Sequence, residues 1–149
     1  MHRERRLGRS WAGERRILAL TDLTAGSRNV VDYAAMLAAT SAAHLTVLHV
    51  YRDASIELHL HDTKKALEFF GKEIKERYGE CRTEFRIGMP CEEIIKAAED
   101  LRIDLVISSP PHHWLRRLAC GSNEEELLRR VPCPVLLVHE DKHSSWSLN

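Results

Sequence analysis

Short apolar runs alternate with longer stretches of helical spacing along most of this chain, and that alternation constrains its fold more than any other feature. Each run is too short for a helix and is bounded by turn-forming residues. Five runs predict strands: Arg16–Thr21, Leu45–Tyr51, Cys81–Arg86, Asp104–Ser108 and Val135–His139. Strands that alternate with helices form right-handed crossovers and a parallel sheet covered on both faces. The sequence therefore predicts an α/β fold.

The intervening stretches predict helices, each with one apolar face. The predicted helices are Asn29–Ala42, His61–Tyr78, a third that starts at Pro90, and Asn123–Arg130. The predicted core faces are Val30, Ala34, Leu37 and Ser41 in the first helix, Ala66, Phe69, Phe70 and Ile74 in the second, and Ile94, Ile95, Ala97, Ala98 and Leu101 in the third. Gly79 is placed to end the second helix.

The length of 149 residues fits one domain. We assign residues 1–14 to a flexible basic arm, residues 15–140 to the domain and residues 141–149 to a polar tail. Basic and acidic side chains balance at 22 each, which gives no electrostatic reason to expect nucleic acid or a membrane surface as partner. The apolar runs are too short to cross a bilayer and no signal-peptide pattern follows the N-terminus, so we expect a cytoplasmic protein.

Several local strings, in the same order, resemble the universal stress protein family. The first strand closes on Asp22, and the second reads HLTVLHV over His44–Val50. The middle reads GMPCEEIIKAA over Gly88–Ala98, and a Gly-Ser pair precedes the last helix. The end reads VPCPVLLV over Val131–Val138. The resemblance covers residues 15 to 140, nearly the whole predicted domain.

The resemblance implies a five-stranded parallel sheet in the order 3-2-1-4-5, a Rossmann-like fold of the adenine-nucleotide-hydrolase type. In such a sheet a crevice opens where the strand order reverses. The residues implied for a nucleotide pocket there are Thr21, Asp22, Val50, Ser108, Ser109, Gly121, Ser122 and Asn123. Thr21, Asp22 and Val50 correspond to the ribose–adenine end. From the residues alone, Asp22 is either a ribose acceptor or a turn cap.

The phosphate end of this pocket departs from the family's pattern. Pro110 and Pro111 stand where a glycine-rich loop is expected, and each proline removes a backbone N–H donor. Glu124 adds a like charge, which at about 4 Å and an effective dielectric of about 20 repels an anion by roughly 4 kcal/mol. The attraction of a helix N-terminus, about 0.3–1 kcal/mol, does not offset that. We therefore expect a degenerate site without a resident cofactor; the alternative is ATP or AMP, with Mg²⁺ offsetting the charge.

Two other chemistries were weighed against plainer interpretations. The pairs His59–His61 and His112–His113 lack the spacing of a zinc site, so solvated histidines are the plainer interpretation. Ser108 and Ser109 stand at a strand end, but no G-x-S-x-G elbow is present. We expect neither a metal site nor an enzyme.

The last strand predicts a partner. Val135, Leu136, Leu137 and Val138 would form an apolar sheet edge, and a bare edge of this kind invites uncontrolled pairing. The resemblance implies that this strand meets its symmetry mate in a homodimer. The leading hypothesis is a non-catalytic, homodimeric stress-response adaptor that contacts other, unidentified proteins. The alternative is a nucleotide-binding switch.

Overall fold

The computed structural model of the chain describes residues 14–52, 57–110 and 124–139, with the side chains of 57, 58 and 124–126 left out. The elements in chain order are β1 (Arg16–Leu20), α1 (Ala25–Ser41), β2 (His44–Tyr51), α2 (Glu57–Tyr78), β3 (Arg82–Ile87), α3 (Pro90–Asp100), β4 (Leu105–Ser108), α4 (Glu124–Arg130) and β5 (Val135–Leu137). The predicted tail lies outside the described residues, and so does the predicted arm apart from Glu14.

The five strands form one parallel sheet in the order β3-β2-β1-β4-β5, which confirms the predicted α/β fold and strand order. In the register, Leu18 pairs with Thr46 on one side and with Val106 on the other. The order reverses between β1 and β4, so the helices that follow these two strands lie on opposite faces of the sheet. A crevice at that point is the usual ligand site of open α/β sheets.

Two separate hydrophobic clusters lie on the two faces of the sheet. Successive strand residues point to opposite faces, so Leu18 and Leu48 join one cluster while Ala19 and Val47 join the other. The first cluster includes the buried faces of α3 and α4, and the second includes those of α1 and α2. The predicted core face of α3 is correct.

The predicted core face of α2 is correct at Phe70 and Ile74, which are buried, and wrong at two positions. Phe69 is 65% exposed, and Ala66 is exposed as well. Leu67, which the prediction did not include, completes the buried stripe one turn before Phe70. In α1 the two central predictions, Val30 and Ala34, are buried, but Val31, Ala35 and Ala38 complete the face; Leu37 and Ser41 are half-buried.

Several predicted boundaries are also corrected. α1 begins at Ala25, four residues before the predicted Asn29, because the Thr24 hydroxyl accepts the Ser27 N–H and caps the helix. α2 likewise begins at Glu57 and not at His61. β5 ends at Leu137, although the Val138 N–H still donates to the Ser108 carbonyl at 2.8 Å. The predicted stop at Gly79 is correct: α2 ends at Tyr78 and Gly79 has a φ of +113°.

None of the helices among the described residues is long and apolar enough to span a membrane.

Candidate functional site

A pocket of about 350 Å³ opens at the carboxyl ends of β1, β2 and β4. Five of the predicted residues line it together: Thr21, Asp22, Val50, Ser108 and Ser109. Leu20, Leu48, Pro90 and Ile94 form an apolar wall, and Ser27, His49, Tyr51 and Arg52 add polar groups. The other three predicted residues, Gly121, Ser122 and Asn123, lie outside the described residues.

The turn between β1 and α1 supplies one side of this pocket. Thr21 is 7% exposed, and its hydroxyl accepts the Leu23 N–H at 3.0 Å and lies 2.9 Å from the Ser27 hydroxyl. Leu23 has a φ of +65°, an unusual conformation for a residue with a side chain. The turn is therefore held by a local hydrogen-bond network that fixes where Asp22 lies.

Asp22 takes part in that same turn. Its Oδ1 atom accepts hydrogen bonds from both the backbone N–H, at 3.0 Å, and the hydroxyl of Thr24. This is the turn-capping role that the sequence left open. Because Asp22 also lines the pocket, the carboxylate is positioned at a ligand site by the bonds that hold the turn.

His49 is a pocket residue that the sequence analysis missed. Its Nδ1 atom lies 2.9 Å from the Thr21 carbonyl oxygen, which can only accept, so Nδ1 carries the proton when the ring is neutral. Burial lowers the pKa of His49, while the bond to Thr21 and the charge of Asp22 act in the opposite direction. The imidazole is therefore neutral at pH 7, with its proton on Nδ1 and an acceptor at Nε2. In the sequence, the one signal that could have pointed to His49 is its position next to Val50, a residue already assigned to the pocket.

The segment after β4 forms the floor. Ser108 and Ser109 are 1% and 5% exposed, and the Ser108 hydroxyl donates to the Ser109 carbonyl at 2.7 Å. The next residue, Pro110, has no N–H to offer. This stretch therefore presents few of the backbone donors that a phosphate group needs.

α4 follows the predicted phosphate loop in the sequence and opens with three glutamates, and no described residue of this helix lines the pocket. A bidentate ion pair holds α4 against α3: the Arg130 Nη1 and Nη2 atoms lie 3.0 and 3.1 Å from the two carboxylate oxygens of Glu92. Hydrogen bonding and the charge of Arg130 lower the pKa of Glu92. The ion pair therefore joins the C-terminal end of α4 to the first turn of α3.

The described residues contain no group of three or more histidine, cysteine or acidic side chains that could hold a metal ion. Of the histidine pairs singled out in the sequence, His59 and His61 belong to α2, and His112 and His113 lie outside the described residues. The pocket combines an apolar wall, a neutral imidazole, a carboxylate, the guanidinium of Arg52 and the hydroxyl groups of Thr21, Ser27, Tyr51, Ser108 and Ser109.

Comparison with known proteins agrees with this geometry. A sequence model of the Universal stress protein family matches residues 14–139. Universal stress protein A homolog 1 of Coxiella burnetii is 33% identical over 138 residues, which cover 82% of this chain and 94% of that protein. A universal stress protein of Methanocaldococcus jannaschii is also 33% identical, over 73 residues that cover 48% of this chain and only 43% of that protein.

Among solved structures, a universal stress protein in complex with cAMP superposes with a TM-score of 0.65. It is 21% identical, and the match covers 85% of this chain and 98% of that one. At this identity the likeness shows the shared fold.

Proposed function

Because the chain belongs to the universal stress protein family, we propose that it is a non-catalytic stress-response switch that binds the adenosine part of an adenine nucleotide. The observation that carries the proposal is the open pocket of about 350 Å³ that brings Thr21, Asp22 and Val50 together with Ser108 and Ser109. Small-molecule sites range from roughly 300 to 1,000 Å³. In an adaptor that used no ligand, we would expect side chains to fill this crevice, because an open apolar pocket forgoes packing contacts.

The lining favours the base and the ribose. Leu20, Leu48 and Ile94 offer an apolar surface to a planar heterocycle, and Val50 lies beside them. The neutral His49 adds no charge that would have to be desolvated. Asp22, at the mouth of the crevice, provides a carboxylate that can accept from ribose hydroxyl groups.

The same pocket favours a nucleotide with few phosphates. Pro110 lacks a backbone donor, and three consecutive glutamates, Glu124–Glu126, follow the predicted phosphate loop in the sequence, where we expect them to repel added negative charge. We therefore propose AMP or cAMP as the ligand in preference to ATP. The cAMP complex of a family member with the same fold supports this class of ligand. ATP would need a divalent cation such as Mg²⁺ to offset the repulsion.

The absence of turnover is part of the proposal. The Ser108 hydroxyl is buried and already donates to the Ser109 carbonyl, so attack by this oxygen would require breaking that bond. A ligand that is bound and not converted acts through the surface of the protein. We propose that the output is contact with other proteins.

The proposed assembly is a homodimer through β5. Leu137 is 38% exposed at the edge of the sheet, while Val135, Leu136 and Val138 are half-buried against the two hydrophobic clusters. Pairing with a second copy would cover Leu137 and satisfy the outer backbone groups of β5. Sedimentation equilibrium checks this: a protein that stays monomeric at 100-fold dilution and at the highest soluble concentration alike would refute the dimer.

Calorimetric titration with AMP, cAMP and ATP, with and without Mg²⁺, tests the ligand. We expect AMP or cAMP to bind at least about tenfold more tightly than ATP, a difference of about 1.4 kcal/mol. Asp22→Asn is the informative variant, because the asparagine carbonyl preserves the Oδ1 turn bonds while the second carboxylate oxygen becomes an amide donor. The matched control is Asp62→Asn, which removes an exposed carboxylate of α2.

Each result of these titrations supports or contradicts one part of the proposal. Binding that weakens about tenfold in Asp22→Asn and not in Asp62→Asn assigns Asp22 to the ribose, at the usual value of one hydrogen bond. Equal binding in both variants leaves Asp22 as a turn cap only. ATP binding more tightly than AMP contradicts the phosphate argument. No heat at millimolar concentration of any of the three refutes the switch and leaves the adaptor.

A further inference from the structure

A second pocket lies at the opposite end of the sheet from the first. It has a volume of about 430 Å³ and opens at the amino ends of β1, β2 and β3. Its lining includes Arg16, His44 and Arg82, which stand at or next to the first positions of these three strands. None of its residues belongs to the nucleotide pocket.

The register places both arginines on the same face of the sheet. Arg16 shares a face with Leu18, which pairs with Thr46, and Thr46 pairs with Arg82. Two strand spacings and a two-residue offset separate the arginine Cα atoms by about 12 Å. Two extended arginine side chains can close that distance around one small ion. This is the face covered by α3, and Leu101, the residue that follows this helix, lines the same pocket.

The lining contains three carboxylates and two arginines. Glu80 lies 3.5 Å from Lys75 and Glu84 lies 2.9 Å from Arg86, two cations beside the pocket, and Glu14 lies 3.4 Å from the imidazole of His44.

The two arginines differ in this respect. Within residues 14–52, 57–110 and 124–139, no carboxylate lies within ion-pair distance of the guanidinium of Arg16 or Arg82; the Asp104 carboxylate accepts the backbone N–H of Arg16 and not its side chain. Two guanidinium groups that line the same concave polar site attract an oxyanion.

We propose that this pocket is a second binding site, for a small organic anion carrying phosphate or carboxylate groups. Arg16 and Arg82 hold the anionic groups through charge-assisted hydrogen bonds. Leu101 and Ile103, which also line the pocket, contact the carbon skeleton of the ligand. The proposal does not depend on the nucleotide pocket, so either site can fail in experiment while the other stands.

Titration followed by amide NMR tests it. Inorganic phosphate and succinate are added separately to the full chain at constant ionic strength, and the amide resonances of His44 and Arg82 are followed. We expect saturable shifts with a dissociation constant on the order of 1 mM for at least one of the two ions. The double variant Arg16→Gln/Arg82→Gln should bind at least about tenfold more weakly.

The matched control is Lys64→Gln/Arg129→Gln, which removes the same charge from exposed positions on α2 and α4. It should bind like the unaltered protein, because salt screens charges beyond about 8 Å. If the double variant loses its amide dispersion, the single variants Arg16→Gln and Arg82→Gln replace it. Shifts that do not saturate for either ion, or equal affinity in the two double variants, would overturn the proposal. Saturable binding of phosphate but not of succinate assigns the site to phosphate groups, and the reverse result assigns it to carboxylate groups.

Discussion

A glycine of α2 packs directly against the sheet. Gly71 is buried in α2, and a Cβ atom at this position would lie 2.4 Å from Thr83 Cγ2 on β3, with the next atom, Thr83 Cβ, at 3.8 Å. The obstacle to a larger residue is therefore one methyl group. We predict that Gly71→Ala destabilises the protein that has the natural Thr83. In a protein that carries Thr83→Ser, we predict that the same glycine substitution is stabilising.

The magnitude follows from two opposing contributions. Alanine is favoured over glycine inside a helix by about 1 kcal/mol. Forcing an extra carbon into a packed site costs about 1–3 kcal/mol, because the helix or the strand must shift. Gly71→Ala should then lower the free energy of unfolding by about 0–2 kcal/mol in the natural background. In the Thr83→Ser background the methyl is gone, and the same change should raise it by about 1 kcal/mol.

Urea unfolding of the four proteins measures the coupling between the two sites, which we expect to be about 1–3 kcal/mol. Ala66→Gly, at an exposed position of the same helix, is the control and gives the helical cost of glycine without the steric contact. Two results would refute the reasoning. One is stabilisation by Gly71→Ala in the natural background, and the other is an equal effect of that substitution in both backgrounds.

Two further predictions concern titrating groups. Burial raises the pKa of Asp32 above its ordinary 3.8 despite the nearby charges of Arg77 and Arg28, so the folded chain binds this proton more tightly and loses stability as pH rises above 3.8. Urea unfolding from pH 3 to 7 should show Asp32→Asn gaining stability over the natural chain with rising pH, with Asp62→Asn as control; a constant difference would contradict this. Burial also raises the pKa of the Cys81 thiol to about 11, so alkylation by iodoacetamide should be slow at pH 7 and rise about tenfold per pH unit. Peptide mass spectrometry with Cys81→Ser as control checks it, and rapid labelling at pH 7 would show that the thiol is not held in its protonated form.

The polar surroundings of Asp32 explain why this residue is informative. Its Oδ1 atom lies 3.8 Å from Arg77 Nη1, too far for a hydrogen bond, and it is the one buried side-chain oxygen among the described residues that has no hydrogen-bond partner. An unsatisfied buried acceptor costs about 1–3 kcal/mol. The asparagine variant removes the charge but keeps the shape.

The alternation of strands and helices was enough to predict the α/β fold, because four of the five predicted strands are short apolar runs and the more polar third run, Cys81–Arg86, stands at the edge of the sheet. It was harder to predict from the sequence which face of each helix is buried. Phe69 and Phe70 are adjacent and equally apolar, and only the sheet decides that Phe70 packs against it while Phe69 remains exposed. The start of α1 was missed for a related reason, since several hydroxyl residues precede it and the choice of Thr24 as cap depends on the Asp22 turn.

The pocket was predicted in part. Thr21, Asp22, Val50, Ser108 and Ser109 were found because the resemblance points to the ends of β1, β2 and β4. His49 was not, since a histidine inside a strand carries no motif and becomes recognisable only when its ring is seen to bond the Thr21 carbonyl. The second pocket could not be predicted from the sequence either. Arg16 and Arg82 are 66 positions apart, and it is the register of three strands that brings them to the same pocket.

The division of the interior into two clusters has a consequence for how this protein can change over generations. Leu48 and Ile94, with Leu20 and Val50 packed against them, belong both to the pocket and to the cluster beneath α3 and α4. Within the part of the chain that the structure describes, no member of the opposite cluster lines the pocket. Substitutions that reshape ligand preference thus draw on one half of the interior, while the half under α1 and α2 keeps the chain folded. Ligand specificity can therefore change through one hydrophobic cluster while the other cluster keeps the domain folded.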